Sequence, residues 1–319
     1  MAKKILLSGV KPTGRPHIGN YFGAMKQFVD LLRTGEYDCH IMIADYHALN
    51  FIQNGAQMKE NIIELALDYI AIGLDPKKCV LFKQSDVPAH TELCWIFDTL
   101  TTMPYLMRAH AYKDAEAKDK EISVGTFNYP MLMAADILLY SPDVVPVGAD
   151  QKQHVEYARD TAQKFNGIFG QTFKLPTELI VENVKTVPGT DGRKMSKSYG
   201  NDIGLFATDE EIQKKVMSIV TDSSGTVPVN VRAIHELIRD KAYLDQLYTD
   251  KAGKYKDLKE ALVKDLQDFI RPMRERREKL AQNKKKIIKI LEKGGKQARK
   301  VADKKMEEVK KNVGVNFYA

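Results

Sequence analysis

Apolar residues along the chain fall into two rhythms. Short unbroken runs, KILLSG (residues 4–9), CHIMIA (39–44), CVLFKQ (79–84) and VVPVG (144–148), read as buried strands. Between them, apolar positions recur at helical spacing. Tyr21, Met25, Phe28 and Leu32 share one face of a helix that Asn20 is placed to cap. MKENIIELALDYIAIG, residues 58–73, is an amphipathic helix stopped by Gly73. Helices are also expected over Glu92–Leu100, over Tyr129–Tyr140 with Pro130 in the first turn, and over Gln151–Phe165. The charged segment Lys113–Glu121 reads as an exposed loop or frayed helix. Strands alternating with helices predict an α/β fold with a parallel sheet covered on both faces. From Thr208 the pattern is helical alone, in segments such as KDLKEALVKDLQDFI and ARKVADKKMEEVKKNV.

Composition narrows the class without choosing a function. The chain has 319 residues, enough for two domains, with 44% hydrophobic and 29% charged residues, as in ordinary soluble globular proteins. The net charge of +7 is concentrated toward the C-terminus and fits a polyanionic partner. The run Lys284–Lys286 reads as a solvated helix face. Cys39, Cys79 and Cys94 have no metal-binding spacing and read as reduced, buried thiols. The opening apolar run is too short for a signal-peptide core, and no stretch approaches a membrane span. A cytoplasmic location is therefore expected.

Two segments carry chemistry. PTGRPHIGN, residues 12–20, joins the first strand to the first helix, where an open parallel sheet binds ligands. Gly14 and Gly19 allow close backbone approach, the helix start offers N–H groups and a positive dipole end, and His17 and Asn20 stand one turn apart with hydrogen bonds to give to phosphate. GRKMSKSYGN, residues 192–201, gathers three cations between Gly192 and Gly200, which suit hinges. In the helix after Tyr129, Met133 and Asp136 share its face. A carboxylate on an apolar face has no sequence neighbour to pair with and suits an indole N–H or a phenol O–H.

HIGN and KMSKS together resemble the two signatures of the class I aminoacyl-tRNA synthetases, with Asn20 in the last place of the first and Lys194–Ser198 matching the second without substitution. YPMLMAADILLY resembles the tryptophanyl branch; the tyrosyl branch usually carries Gln where this chain has Met133. The resemblance spans nearly the whole chain, is strong from Ser8 to Gly200 and is weakest from Gly225 to Asp250. It implies a Rossmann-like doubly wound catalytic domain over residues 1–200, including the KMSKS loop at 192–200. A C-terminal all-helical anticodon-side domain follows over 201–319, its last helix expected to pack back on the catalytic domain.

The implied reaction is ATP-dependent activation of L-tryptophan to tryptophanyl-adenylate, then transfer to the 2′-hydroxyl of the terminal adenosine of tRNA(Trp), with Mg2+ held mainly by phosphates and no protein metal ligands. The implied catalytic residues are His17, Asn20, Lys194 and Lys197. ATP is assigned to Lys11, Pro12, Thr13, Gly19, Asn20, Gly148, Ala149, Asp150, Val187, Lys194, Met195, Ser196, Lys197 and Ser198. Tryptophan is assigned to Asp136, Tyr129, Met133, Gln151 and His47. Lys11 replaces a more usual Gln and Ala149 a frequent Glu, so a contact at 149 comes from backbone. A homodimer is implied, with neither membrane nor DNA as partner. The rivals are a tyrosyl enzyme, a small-molecule adenylyltransferase and an inactive RNA-binding paralogue. Met133 argues against the first, the KMSKS loop and basic helical region against the second, and the retained Lys194, Lys197, Asp136 and Asp150 against the third.

Overall fold

Alternate residues of each central strand face opposite layers. Leu6, Ile41 and Leu81 join one apolar cluster, while Leu7, Met42 and Phe82 join the other. This alternation puts the sheet in the middle of the molecule with a core on each side. The computed structural model describes residues 3–117, 121–147, 152–180, 186–221 and 227–317.

The chain begins with β1 (Lys4–Val10), then α1 (Ile18–Asn20), which passes through a π-helical turn at Tyr21–Met25 into α2 (Lys26–Thr34). β2 (Tyr37–Ile43) and the short α3 (Asp45–Ala48) lead to α4 (Gly55–Ala71) and β3 (Cys79–Lys83). α5 (Ala89–Leu100), α6 (Met103–Leu106), α7 (His110–Ala117) and α8 (Val124–Leu138) separate β3 from β4 (Val144–Val147). α9 (Lys152–Phe169) and β5 (Thr177–Ile180) complete the sheet. Among the described residues, a 3-10 turn at Lys197–Tyr199 and five α-helices follow: α10 (Asp209–Met217), α11 (Val229–His235), α12 (Lys241–Asp250), α13 (Tyr255–Ala281) and α14 (Lys284–Asn312).

All strand pairs are parallel, in the order β3-β2-β1-β4-β5. The order reverses between β1 and β4, so the carboxyl end of β1 lies at the switch point where such sheets bind ligands. The sheet is the doubly wound arrangement expected from the sequence. β5 was not among the expected strands.

α4 and α5 begin three residues before the expected Met58 and Glu92, at Gly55 and Ala89, and two other helix starts differ in their caps. The first helix is capped by His17, not Asn20. The His17 side chain accepts from the Asn20 N–H, and Asn20 Oδ1 accepts from the His17 N–H, forming a reciprocal capping box. Two of the N–H groups expected to be open at this helix start are therefore engaged, since the Ile18 N–H also bonds Ile203 O. α8 starts one and a half turns early, capped by Ser123, and this places Pro130 inside the helix instead of in its first turn. Thr208 caps α10 in a second capping box with Glu211.

α14 ties the two layers together. Ile287 and Leu291 belong to one apolar cluster, whereas Ala298, Ala302, Met306 and Val309 belong to the other. The helix changes layers by crossing β3, the edge strand, at Gly294–Gly295. A Cβ on Gly294 would lie 1.9 Å from Leu81 O. Farther back, Arg277 of α13 reaches Asp68 and Glu64 of α4 in a buried ion-pair cluster, with Lys284 also on Glu64.

Candidate active site

The carboxyl ends of β1, β2 and β3 carry the chemistry-bearing residues. After β1, Pro12 is buried, and Gly14 takes φ +103°, a left-handed value that favours glycine. This turn aims the Thr13 carbonyl at the KMSKS segment, and Lys197 Nζ donates to it at 3.1 Å. A Cβ on Gly14 would sit 3.3 Å from the same Nζ. Met195 is buried with its Cβ facing Gly19, 3.4 Å from where a Cβ would stand there. Two further strips of backbone bind the halves: Ile18 N–H to Ile203 O, and Leu205 N–H to Pro16 O. The two signature segments, nearly 180 residues apart in sequence, thus lie against each other.

The KMSKS segment is held from within by Asn201, which is 2% exposed. Its Oδ1 accepts from the Ser196 N–H, and its Nδ2 donates to Asp191 and to the Lys194 carbonyl. Gly189 must be side-chain-free, because a Cβ would fall 2.3 Å from the Asn201 amide. Val187 and Met195 pair through backbone, Ser196 and Ser198 share a hydroxyl hydrogen bond of 2.8 Å, and Lys194 is exposed. Asn201 was quoted with this segment in the sequence but given no role there; it is the residue around which the loop is folded.

His17 is buried and its pKa is lowered, first by desolvation and then by Lys197, with Asp202 opposing. Its Nδ1 accepts from the Asn20 N–H, so the neutral ring carries its proton on Nε2. Lys11 lies with Nζ 4.7 Å from the Phe51 ring centroid, a cation–π contact at the mouth of the same strand ends.

Asp136 has no pairing neighbour in sequence, but three residues distant in the chain reach it, and it is 2% exposed. Gln84 Nε2 reaches both carboxylate oxygens, at 2.8 and 2.9 Å. His47 Nε2 is 2.8 Å from Oδ2, and His90 Nδ1 is 2.6 Å from Oδ1. The His90 approach is bent out of hydrogen-bond alignment, yet two bare lone pairs do not approach so closely, so Nδ1 carries the proton. His90 Nε2 then accepts from Tyr140 Oη at 2.9 Å. Burial alone would raise the Asp136 pKa; the pull of His90 and the hydrogen bonds from His47 and His90 outweigh it and hold the carboxyl well below the usual range. The group stays an ionised acceptor.

Tyr129 packs edge-on to His47, with centroids 6.3 Å apart, and shares a 2.8 Å hydrogen bond with His154. Met133 is half-buried one turn before Asp136. Gly148, Ala149, Asp150 and Gln151 lie outside the described residues. Gln84 and His90 were missed in the sequence. Gln84 follows β3 directly, so its place at a strand's carboxyl end was the available signal.

The chain matches the model of the class I tRNA synthetases for tryptophan and tyrosine over residues 2–315. It is 46% identical to the tryptophan–tRNA ligase of Fusobacterium nucleatum, covering 98% of this chain and 99% of that one. It is 41% identical to that of Rhodopirellula baltica, covering 97% and 99%. The solved tryptophanyl-tRNA synthetase of Campylobacter jejuni, complexed with ADP and tryptophan, superposes with a TM-score of 0.90 at 40% identity over 97% of this chain and 99% of that one. With two signature segments in contact at the switch point of a parallel sheet, and with relatives of this identity along its full length, the chain belongs to the tryptophanyl-tRNA synthetases, in class I of the aminoacyl-tRNA synthetases.

Proposed function

We propose that the residues at these strand ends activate tryptophan with ATP and pass it to tRNA(Trp). The substrate carboxylate is ionised at neutral pH and needs no base. Its oxygen attacks the α-phosphorus, forming a C–O–P linkage as the bond to pyrophosphate breaks. Negative charge grows on the departing pyrophosphate. The His17 Nε2–H and the ammonium groups of Lys194 and Lys197 lie on the two segments that meet there, and each such donor is worth about 10²–10³ in rate. In the second step the 2′-hydroxyl of the terminal adenosine attacks the aminoacyl carbonyl and AMP leaves. The seating of Lys197 on the Thr13 carbonyl is the observation that carries this reading. Lys11, Pro12, Thr13, Gly19, Asn20, Val187, Lys194, Met195, Ser196, Lys197 and Ser198 are assigned to ATP, as are Gly148, Ala149 and Asp150.

Asp136 is the acceptor for the indole N–H, with Met133, Tyr129 and His47 around it and Gln151 on the substrate ammonium. Magnesium supplies charge neutralisation of the phosphates when bound. Mg2+ keeps several waters and takes substrate phosphates as ligands.

Two surfaces suit the macromolecular partners. Lys286, Lys289, Lys293, Lys300, Lys304 and Lys311 are exposed on α14, within a narrow angular stripe at 3.6 residues per turn. The stripe is about 37 Å long at 1.5 Å per residue, a fit for a phosphate backbone. Trp95, Met103 and Val124 are exposed on α5, α6 and α8, and both α5 and α6 pack on α8; exposed apolar residues on these helices suit a second copy of the chain. The catalytic part is assigned to residues 1–200 and the helical, anticodon-side part to residues 201–319. No helix among the described residues is long and apolar enough to cross a membrane, and a cytoplasmic location accords with translation.

Amino-acid-dependent exchange of pyrophosphate into ATP tests the reading. Exchange is expected with tryptophan and not with tyrosine; exchange with tyrosine alone overturns the assignment.

A further inference from the structure

We infer that Gln84, backed by His90, is a positioning residue that sets the indole specificity of Asp136. The inference rests on the reading that Asp136 accepts the indole N–H.

A carboxylate at the end of an aspartate side chain turns about a soft, broad torsion, so the backbone of α8 alone does not fix where its lone pairs point. Recognition of an N–H is directional and needs them fixed. Gln84 grips both oxygens with one amide nitrogen, at 2.8 and 2.9 Å, and thereby sets the plane of the carboxylate. The amide is itself fixed. Its Oε1 accepts from the Tyr46 and His47 N–H groups at 3.1 and 3.3 Å, in the first turn of α3, and the side chain is wholly buried. One amide therefore orients the carboxylate and also positions the backbone that carries His47.

An ionised carboxylate has about four lone-pair sites. Gln84 engages one on each oxygen, His47 one on Oδ2 and His90 one on Oδ1, the last by the bent 2.6 Å contact. A ligand donor therefore shares an oxygen with one of them. Because Gln84, His47 and His90 all present protons, a ligand group is accepted there only if it too brings a proton. An analogue that lacks the N–H leaves a buried charge short of a partner.

The test compares binding of tryptophan with β-(3-benzothienyl)alanine, which replaces the indole N–H with sulfur at nearly unchanged shape. Wild-type protein is expected to prefer tryptophan by about 100-fold or more. Gln84→Met keeps the volume and removes both hydrogen-bonding ends; the preference should fall below about tenfold, with the KM for ATP changed less than about threefold. A ratio of two ligands in one preparation is insensitive to the fraction of active protein, so a merely structural role would not move it.

His90→Phe is the second variant, in case Gln84→Met does not fold. It removes the Oδ1 contact and should also lower the preference, while His90→Asn, which returns an N–H near the Nδ1 position, should restore it. Asp136→Ala, which removes the acceptor that Asn would keep, separates the two levels of the argument. If it leaves the preference intact, the indole reading itself fails. If it abolishes the preference while Gln84→Met and His90→Phe retain it, positioning by Gln84 and His90 is refuted.

Discussion

Replacing Gly294 with alanine sets two opposing terms against each other. Alanine favours a helix interior by about 1 kcal/mol over glycine. At this position, however, the new Cβ would stand 1.9 Å from the Leu81 carbonyl oxygen, whereas ordinary contact begins at 3.4 Å. The obstacle is backbone, so no rotamer change relieves it. α14 would have to withdraw from β3 by roughly 1.5 Å, loosening Leu291 on one side of the crossing and Ala298 on the other. Overpacking of this kind costs about 1–3 kcal/mol, and with backbone on both sides the upper end applies. The expected net effect is a loss of about 2 kcal/mol, or a fall of about 3 °C in Tm for a chain of this size. Gly167→Ala is the matched control. Gly167 also lies in a helix, and a Cβ there would meet nothing within 4 Å, so this variant should be as stable as wild type or slightly more so. Thermal unfolding followed by circular dichroism reads both. A Gly294→Ala protein at least as stable as wild type would refute the close crossing of helix and edge strand.

Lys197→Ala should slow tryptophan-dependent pyrophosphate exchange by about 10²–10³ while equilibrium tryptophan binding changes little; unchanged exchange removes Lys197 from the reaction. His17 has a depressed folded pKa, so the unfolded chain takes up its proton first as the pH falls below about 6.5, and the folded state loses stability in that window. His17→Asn keeps a side-chain cap without a titrating ring, and its denaturant midpoint should decline less than that of wild type between pH 7 and 5.5; parallel declines argue against a neutral, capping His17. Replacing Lys293, Lys300 and Lys304 with alanine together should weaken tRNA binding and reduce its log–log salt slope by about three, leaving pyrophosphate exchange intact; an unchanged slope rules out the α14 stripe as a phosphate contact. Trp95→Glu should shift sedimentation from dimer to monomer, and a variant that sediments like wild type places the dimer face elsewhere.

The sheet was legible because its strands are buried on both faces and read as unbroken apolar runs, and the two signature segments were legible as residue patterns. What escaped was set by contacts distant in sequence. Nothing near Asp136 in the chain reveals its partners, because Gln84 and His90 reach it from another strand end and another helix, about 50 residues upstream. Pro130 was read as a first-turn residue from its usual preference. The Ser123 cap, accepting from the Thr126 N–H, starts the helix five residues earlier, at Val124 instead of Tyr129, and one proline is tolerated within. At the first helix both Asn20 and His17 were noticed, but which of them caps depends on the backbone turn that Gly14 permits. β5 has only four residues, one of them charged, too few to show a period.

Helix α14 follows every strand of the sheet in the chain and covers the outer edge of β3. Until α14 has been made and has docked, the nascent protein carries a sheet whose edge is open to pairing with other strands. Dependence on chaperones should therefore last until residue 312 has left the ribosome, and termination before residue 284 should yield insoluble product in place of a smaller active enzyme.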